Sequence, residues 1–325
     1  MNITLNNKIC VENKNNESIF DSLRNNGFVL NHSCLSARCR SCLSTLNRGS
    51  IRKIKSDNIL DDNDSKNNLI LACNSVPNTD IEITCDYTLE ENLHKEQILP
   101  AKIMLIEKYC ENYLRVDLRL PPGRSLSYNP GQYVNINVGS IERSYSIANV
   151  YSKDNFLSFF IKNYQDGEMS KYFFNSAKID DLVRIKGPFG TFFLKDNSKK
   201  IIFLATGTGI APVKSIIENM KLNKINFDEI NLFWGMRHCK DFFLDLNEEL
   251  KSKINYYKVL SQPKEKNYPY TGYVQNIALK IIKDFSGYDV YACGSNMMIN
   301  ESLDLFKRNM LSEERFFSDA FVESK

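Results

Sequence analysis

The chain has 325 residues, 42% of them hydrophobic and 25% charged, which describes a soluble globular protein of two or three domains. No apolar run approaches the roughly 18 residues of a membrane helix, and a net charge of +3 is too small to imply nucleic acid or a membrane surface as a partner. Nine cysteines, an odd number, behind an N-terminus without signal-peptide layout, argue against an exported disulfide framework and point to the cytoplasm.

Residues 1–88 carry strand-like stretches, "ITLNNKICV", "LILAC" and "DIEITCDY", around one helix pattern. That helix opens at "ESIFDSLRNNG", where Ser18 is placed to cap, Ile19, Phe20 and Leu23 share a face, and Gly27 ends it. The loop that follows, "CLSARCRSC", spaces Cys34, Cys39 and Cys42 as Cys-x4-Cys-x2-Cys, and Cys73 lies thirty residues further on in "NLILAC". This is the ligand spacing of plant-type 2Fe–2S centres. Structural zinc prefers two separated pairs, and free thiols are the remaining reading. An anionic cluster requires a loop curled so that several backbone amides face inward, with Arg38 and Arg40 facing solvent or screening its charge. A small sheet crossed by a helix, with the cysteine loop after it, predicts a ferredoxin-like β-grasp domain. Polar residues 89–99, ending at Pro100, read as a linker.

Over 100–196 the pattern changes to short strands ("YLRVDLRL", "QYVNINV", "RSYSIANV", "FLSFFIKN", "LVRIKGPFGTFFL") separated by "PPG", "NPG" and "GPFG". Such spacing predicts a closed antiparallel β-barrel. In "RSYSIAN", alternation puts Arg143 and Tyr145 on one face and Ser144 and Ser146 on the other. A cation, a flat aromatic and a hydroxyl suit the pyrophosphate, ring and reactive nitrogen of a flavin dinucleotide; an edge strand with an exposed arginine explains the stretch as well. In "DGEMSKYF", Gly167, Met169 and Ser170 precede a short helix whose N-terminus suits phosphate; an ordinary turn and cap explain it too.

Residues 197–325 alternate strand and helix: "KKIIFLAT" with "APVKSIIENMKL", "EINLFWG" with "DFFLDLNEELKS", "INYYKVL" with "GYVQNIALKIIKDF", "DVYACG" with "NMMINESLDLFKRNM", and a last strand "RFFSDAF". This predicts an open parallel α/β sheet with its ligand at the carboxyl ends of the strands. In "ATGTGIAP", Gly207 and Gly209 permit close backbone approach and Pro212 suits the first helical turn. The alternative is a tight packing turn. Cys293 and Gly294, in "YACGSNMM", fall at the ligand edge, although buried cysteines are more often structural. Phe317, Asp319 and Phe321 alternate onto one face, where core packing competes with covering a flavin.

With these stretches in this order, the chain resembles the NADH-dependent iron–sulfur flavoprotein reductases, which join a plant-type ferredoxin domain to a ferredoxin–NADP reductase-like module. "RSYSIAN", "APVKS", "VYACGS" and "FFSDAFV" place it nearest the branch that serves dideoxysugar synthesis. The resemblance implies that Cys34, Cys39, Cys42 and Cys73 bind the cluster. It implies that Arg143, Tyr145 and Ser146 hold, stack on and approach FAD, with Gly167, Met169 and Ser170 at its phosphates. Gly207, Thr208, Gly209 and Pro212 would receive NADH, Cys293 and Gly294 would lie near its nicotinamide, and Asp319 and Phe321 are the family's acidic and aromatic C-terminal positions. Ser146, Cys293, Asp319 and Phe321 are the catalytic candidates. The implied activity carries a hydride from NADH to FAD, then single electrons through the cluster to a protein acceptor. That acceptor is expected to be a pyridoxamine-phosphate-dependent dehydrase acting on a CDP-4-keto-6-deoxy sugar. The alternative acceptor is an oxygenase component, and the rival of another class is a non-enzymatic iron–sulfur carrier or sensor. The sequence departs from the family where Ala37 and Arg40 replace loop glycines; a left-handed backbone at either position costs roughly 1 kcal/mol or more.

Overall fold

A computed structural model describes residues 1–14, 16–151, 155–195, 199–245, 254–264 and 267–321. Two compact units divide the chain, one of residues 1–93 with the chain's end from residue 319, the other of residues 94–318.

In the first unit, Asn2–Leu5 pairs antiparallel with Ile9–Glu12 and parallel with Ile81–Thr84, and Leu43–Arg48 and Leu69–Leu71 complete a five-stranded sheet. The stretch "ITLNNKICV" is thus a hairpin rather than one strand. Asn6 and Asn7 turn it at φ of 50° and 58°, a conformation asparagine tolerates better than most residues. The helix Ile19–Arg24 starts where Ser18 accepts the Asp21 N–H at 3.0 Å. Its Ile19, Phe20 and Leu23 are buried against Ile3, Leu5 and Ile83, each contributing about 1.5–3 kcal/mol through burial. Much of the segment expected as a linker, 89–99, carries secondary structure. Tyr87–Leu89 pairs with Phe28–Leu30, Glu90–Asn92 form a 3₁₀ turn, and Gln97–Leu99 already pair with Ile185–Gly187. The buried alternation of Leu99, Ala101 and Ile103 carries that strand back through Pro100, which is exposed.

The second unit holds two sheets. Six antiparallel strands run in the order Ile141–Ser146, Tyr133–Val138, Leu182–Phe189, Gln97–Cys110, Tyr113–Arg119, Phe156–Lys162 and curl around a core that includes Ile103, Val116, Ile136, Phe159 and Ile185. The outer strands meet through a seam of single contacts: Ala148 N–H donates to Ser158 O at 2.8 Å, Asn149 Oδ1 accepts the Ser158 N–H at 2.8 Å, and Asn149 Nδ2 donates to Phe156 O at 3.1 Å. The parallel sheet runs Asn255–Leu260, Glu229–Met236, Lys200–Thr206, Tyr288–Gly294, Phe316–Ala320. Its strand order reverses between Lys200–Thr206 and Tyr288–Gly294, which opens a crevice at their carboxyl ends. Helices Ile210–Leu222, Val274–Ile281 and Asn296–Lys307 match the expected periods. The helix expected over 241–252 is absent from Phe242–Asp245, where Phe243 instead packs among Tyr109, Phe160 and Trp234; residues 246–252 lie outside the described ones.

Asn149→Ala removes both side-chain contacts of the seam and leaves the buried Ser158 N–H without its acceptor. The expected loss is about 1–3 kcal/mol, read as a lower thermal midpoint of the 94–318 unit, with secondary structure retained below the transition.

Candidate functional site

The cysteine loop is curled as an anionic group requires. Ser36 N–H and Arg38 N–H donate to Cys34 Sγ at 3.3 and 3.4 Å, and Cys34 N–H donates to Cys39 Sγ at 3.4 Å. The curl needs left-handed backbone at Leu35, Ala37 and Arg40, with φ of 47°, 65° and 61°. Cys73 sits outside the strand that precedes it, on the 3₁₀ turn Ala72–Asn74, held beside the loop by Ala72 N–H donating to Cys42 O at 3.1 Å. The thiols form two neighbouring pairs. A hydrogen bond from Cys39 lowers Cys34 to about 5, and the same contact, with burial, raises Cys39. A hydrogen bond from Cys42 lowers Cys73, while Cys42 is raised by that contact and by burial. In each pair one thiol is shifted toward its thiolate form, the form in which cysteine binds a metal, and its partner away from it. Among the described residues no three ligating side chains surround a single-ion position. Two pairs side by side fit a centre with two irons.

Arg40 does not face solvent. Its guanidinium makes two contacts with the Asp64 carboxylate, at 2.6 and 2.5 Å, and the side chains are only 21% and 6% exposed. Asp64 also accepts the Asp61 N–H at 2.9 Å, in the capping box of the helix Asp62–Lys66. Arg40 holds the Asp64 carboxyl below its ordinary range.

In the second unit the strand Ile141–Ser146 is half-buried at Arg143 and Tyr145 and exposed at Ser144, while Ser146 is buried although it shares Ser144's place in the alternation. The Tyr145 ring stands edge-on to Phe159 and Phe173, at 6.5 and 6.3 Å, and burial pushes its hydroxyl pKa upward. Arg143 lies 3.7 Å from Glu168, which brings this strand to the start of the helix Glu168–Lys171. Of the three candidates there, Met169 is buried in the barrel core, and the Ser170 hydroxyl is committed to the turn before it, donating to Lys162 O and accepting from Tyr164 N–H, both at 3.2 Å. What this turn offers an anion is its first-turn backbone N–H groups, which have no acceptor within the helix.

The nucleotide candidates meet at the crevice. A Cβ on Gly209 would lie 2.2 Å from Cys293 O, and one on Gly294 would lie 2.0 Å from Thr206 Oγ1, so the two turns interlock only as glycines. Pro212 falls in the first turn of Ile210–Leu222. Trp234, the only tryptophan, donates its indole N–H to Gly207 O at 3.0 Å. In a planar trans peptide this directs the Thr208 N–H to the opposite side. Cys293 is fully buried, as is most of Asp319; Phe321 is half-buried, and both C-terminal candidates belong to the unit of residues 1–93.

Three known families match in sequence: the 2Fe-2S iron-sulfur cluster binding domain over residues 3–78, the oxidoreductase FAD-binding domain over 100–194 and the oxidoreductase NAD-binding domain over 203–303. The CDP-6-deoxy-L-threo-D-glycero-4-hexulose-3-dehydrase reductase of Yersinia pestis is 35% identical over 311 residues, covering 95% of this chain and 94% of that protein. The chain belongs to the iron–sulfur flavoprotein reductases. The reductase component of the naphthalene 1,2-dioxygenase system of Pseudomonas putida is 25% identical over 94% of the chain and 93% of its own length. Among solved structures, the Amycolatopsis cytochrome P450 reductase GcoB matches with a TM-score of 0.72 at 22% identity, over 99% of this chain and 98% of its own. This reductase is an oxidoreductase with domains for a 2Fe–2S cluster, FAD and NAD. The carrier or sensor reading therefore falls, and a partner protein receives the electrons.

Sequence reading missed Asp64, Trp234 and Asn149. Asp64 stands in an unremarkable polar run, "DDNDSKNN", and its partnership with Arg40 crosses 24 positions. The one usable signal was Trp234, a single tryptophan just before a glycine at the end of a buried strand.

Asp64→Ala leaves Arg40 in left-handed backbone without its carboxylate, and about 1–3 kcal/mol of stability is expected to go with it. Because the Asp64 pKa is depressed in the fold, that stability is present above the unfolded value of about 3.9 and is lost as pH falls through the lower folded one. Melting curves of the two proteins should differ at neutral pH and converge in acid; an equal gap at both would refute the assignment.

Proposed function

We propose that this reductase delivers electrons from NADH to a pyridoxamine-phosphate-dependent dehydrase of a CDP-4-keto-6-deoxy sugar, in the C3 deoxygenation that leads to 3,6-dideoxyhexoses. The observation that carries the acceptor is the difference in likeness: 35% identity to a dehydrase reductase against 25% to a dioxygenase reductase, across nearly the same share of the chain. The proposed domains are 1–88 for the cluster, 100–196 for FAD and 197–325 for NAD, with 89–99 between them. Cysteines free of disulfides support a reducing, cytoplasmic setting.

A hydride carries two electrons and a 2Fe–2S cluster accepts one; when bound, the flavin supplies the exchange between them. Cys34, Cys39, Cys42 and Cys73 are the proposed cluster ligands, and the Ser36 and Arg38 amides that meet Cys34 Sγ favour added negative charge there. Arg143 would meet the FAD pyrophosphate, exchanging its exposed contact with Glu168 for a stronger anion. Tyr145 is proposed to stack on the flavin, its ring fixed by Phe159 and Phe173, with the buried Ser146 hydroxyl near the reactive nitrogen. Gly167, Met169 and Ser170 would contribute backbone. Gly207, Thr208, Gly209, Pro212, Cys293 and Gly294 form the proposed nucleotide seat, and Asp319 and Phe321 the C-terminal catalytic pair.

The test is reconstitution. With the purified sugar dehydrase, the protein should support NADH-dependent C3 deoxygenation, and Cys73→Ser should lose this and the visible cluster spectrum while keeping FAD and NADH–ferricyanide activity. Turnover with an oxygenase component and none with the dehydrase would replace the acceptor.

NADH is proposed over NADPH. After the strand Glu229–Met236 come Arg237, His238 and Lys240, but the His238 ring is bound to Gln262 O at 2.8 Å and the Asp241 carboxylate shares the turn, opposing a 2′-phosphate. We expect kcat/KM with ferricyanide to favour NADH by about tenfold or more, roughly 1.4 kcal/mol; a ratio favouring NADPH would reverse the preference.

A further inference from the structure

Tyr113 opens a barrel strand, yet its hydroxyl lies at the nucleotide loop of the parallel sheet. A Cβ built on Gly207 would lie 3.6 Å from Tyr113 Oη and within 4 Å of nothing else. The ring is fixed by packing on Phe243 at 4.9 Å, and the residue is only 6% exposed. Among the described residues no group hydrogen-bonds to that hydroxyl, whose oxygen keeps some access to solvent although the ring is buried. Gly207 itself has φ +56°, so a side chain there would be strained as well as obstructive. Arg237 is exposed and directly follows the strand Glu229–Met236, and its positive charge acts on the Tyr113 hydroxyl against the stronger opposing charge of Asp241. Asp241, the opposing charge nearby, has its carboxylate accepting the His238 N–H at 3.2 Å.

A rigid hydroxyl donor, a guanidinium and a bare stretch of backbone together make a seat for an oxyanion. We propose that Tyr113 and Arg237 bind the pyrophosphate of the pyridine nucleotide beside Gly207, so that the barrel supplies part of the nucleotide site. The inference rests on the nucleotide reading above and adds a ligand to it from another sheet. It also gives the aromatic cluster of Tyr109, Phe160, Phe243 and Trp234 a purpose: Phe243 carries the Tyr113 ring, and Trp234 holds the Gly207 carbonyl.

Tyr113→Phe keeps the ring and deletes only the hydroxyl; Arg237→Gln removes the charge from an exposed side chain. Both are assayed as full-length holoenzyme, with FAD content and melting curves confirming the fold. ADP-ribose, which retains the pyrophosphate and lacks nicotinamide, is titrated against the fluorescence of Trp234. Each variant should raise the NADH KM and weaken ADP-ribose binding by the same factor, about fivefold for one lost hydrogen bond in Tyr113→Phe. An unchanged ADP-ribose affinity in Tyr113→Phe overturns the inference, whether or not KM moves. Wild-type protein that neither oxidises NADH nor binds ADP-ribose overturns the nucleotide reading itself.

Discussion

Asn149 is the point on which the reductase unit is assembled. Its carboxamide closes the barrel seam to Phe156 and Ser158, and its own carbonyl accepts two hydroxyls, from Tyr128 at 3.0 Å and from Ser215 at 2.7 Å. Ser215 belongs to the first helix of the parallel sheet, and beside it Lys214 donates to Ala148 O at 3.0 Å. Residues 148 and 149 thus join the strand Ile141–Ser146, the far edge of the barrel and the helix Ile210–Leu222. Three of these bonds, from Tyr128, Ser158 and Ser215, are buried, where a missing partner costs the full desolvation of the group left behind. The relative placement of the strand Ile141–Ser146 and the helix Ile210–Leu222 is therefore directed by hydrogen bonds, whereas apolar contact is non-directional.

The cysteine loop solves a different problem, a backbone conformation that its residues resist. Two of the three left-handed positions, Ala37 and Arg40, are where glycine would be unstrained, and the cost of a side chain is of order 1 kcal/mol each. Both have compensating contacts. Ala37 is buried and its carbonyl accepts the Ile59 N–H at 3.1 Å, while Arg40 is clasped by Asp64. A charge-assisted pair with two contacts is strong enough to offset that strain. Its carboxylate is itself oriented by a helix cap. The curl of the loop therefore depends on a helix more than twenty residues downstream, a route by which a glycine-poor loop keeps its amides turned toward the thiols.

Where the signal was local, the sequence was legible. The Ser18 cap, the curl of the cysteine loop, the change from strand runs to alternating strand and helix, and the close-packed glycines at the sheet edge each depend on a few neighbouring residues, and the structure forms them. The misreadings have non-local causes. Pro100 looked like the end of a linker because proline punctuates chains, but an exposed proline on a strand whose alternate residues are buried does not interrupt it. The run from Asp241 has a helical composition, yet packing of half-buried Phe243 among rings from three other segments keeps Phe242–Asp245 out of a helix. Arg40 looked like a surface charge because nothing near it in sequence announces Asp64. Ser146 looked equivalent to Ser144 because alternation alone cannot tell that the strand ends there and the chain turns inward, with Ile147 N–H donating to Gln132 O at 3.0 Å.

The same logic explains why the nucleotide edge is built from residues with little side chain. Close approach of two turns requires that neither carry a Cβ, as at Gly209 and Gly294, but bare backbone is also the least constrained part of a chain and loses the most entropy when fixed. Order has to come from neighbours that are rigid for their own reasons. Trp234 qualifies, fully buried on a central strand with its indole edge-on to Phe242 and Phe243, and it fixes the Gly207 carbonyl through one hydrogen bond. Thr206 does the same from the strand end, its hydroxyl accepting the Ser295 N–H at 3.4 Å. Side chains that are themselves immobile thus hold a loop that is mostly glycine, and the Gly207–Thr208 peptide is oriented before any ligand arrives. Pre-organisation of this kind lowers the ordering cost that binding otherwise carries. It places the determinants of the site one layer behind the glycines, in the aromatic residues that a motif search passes over.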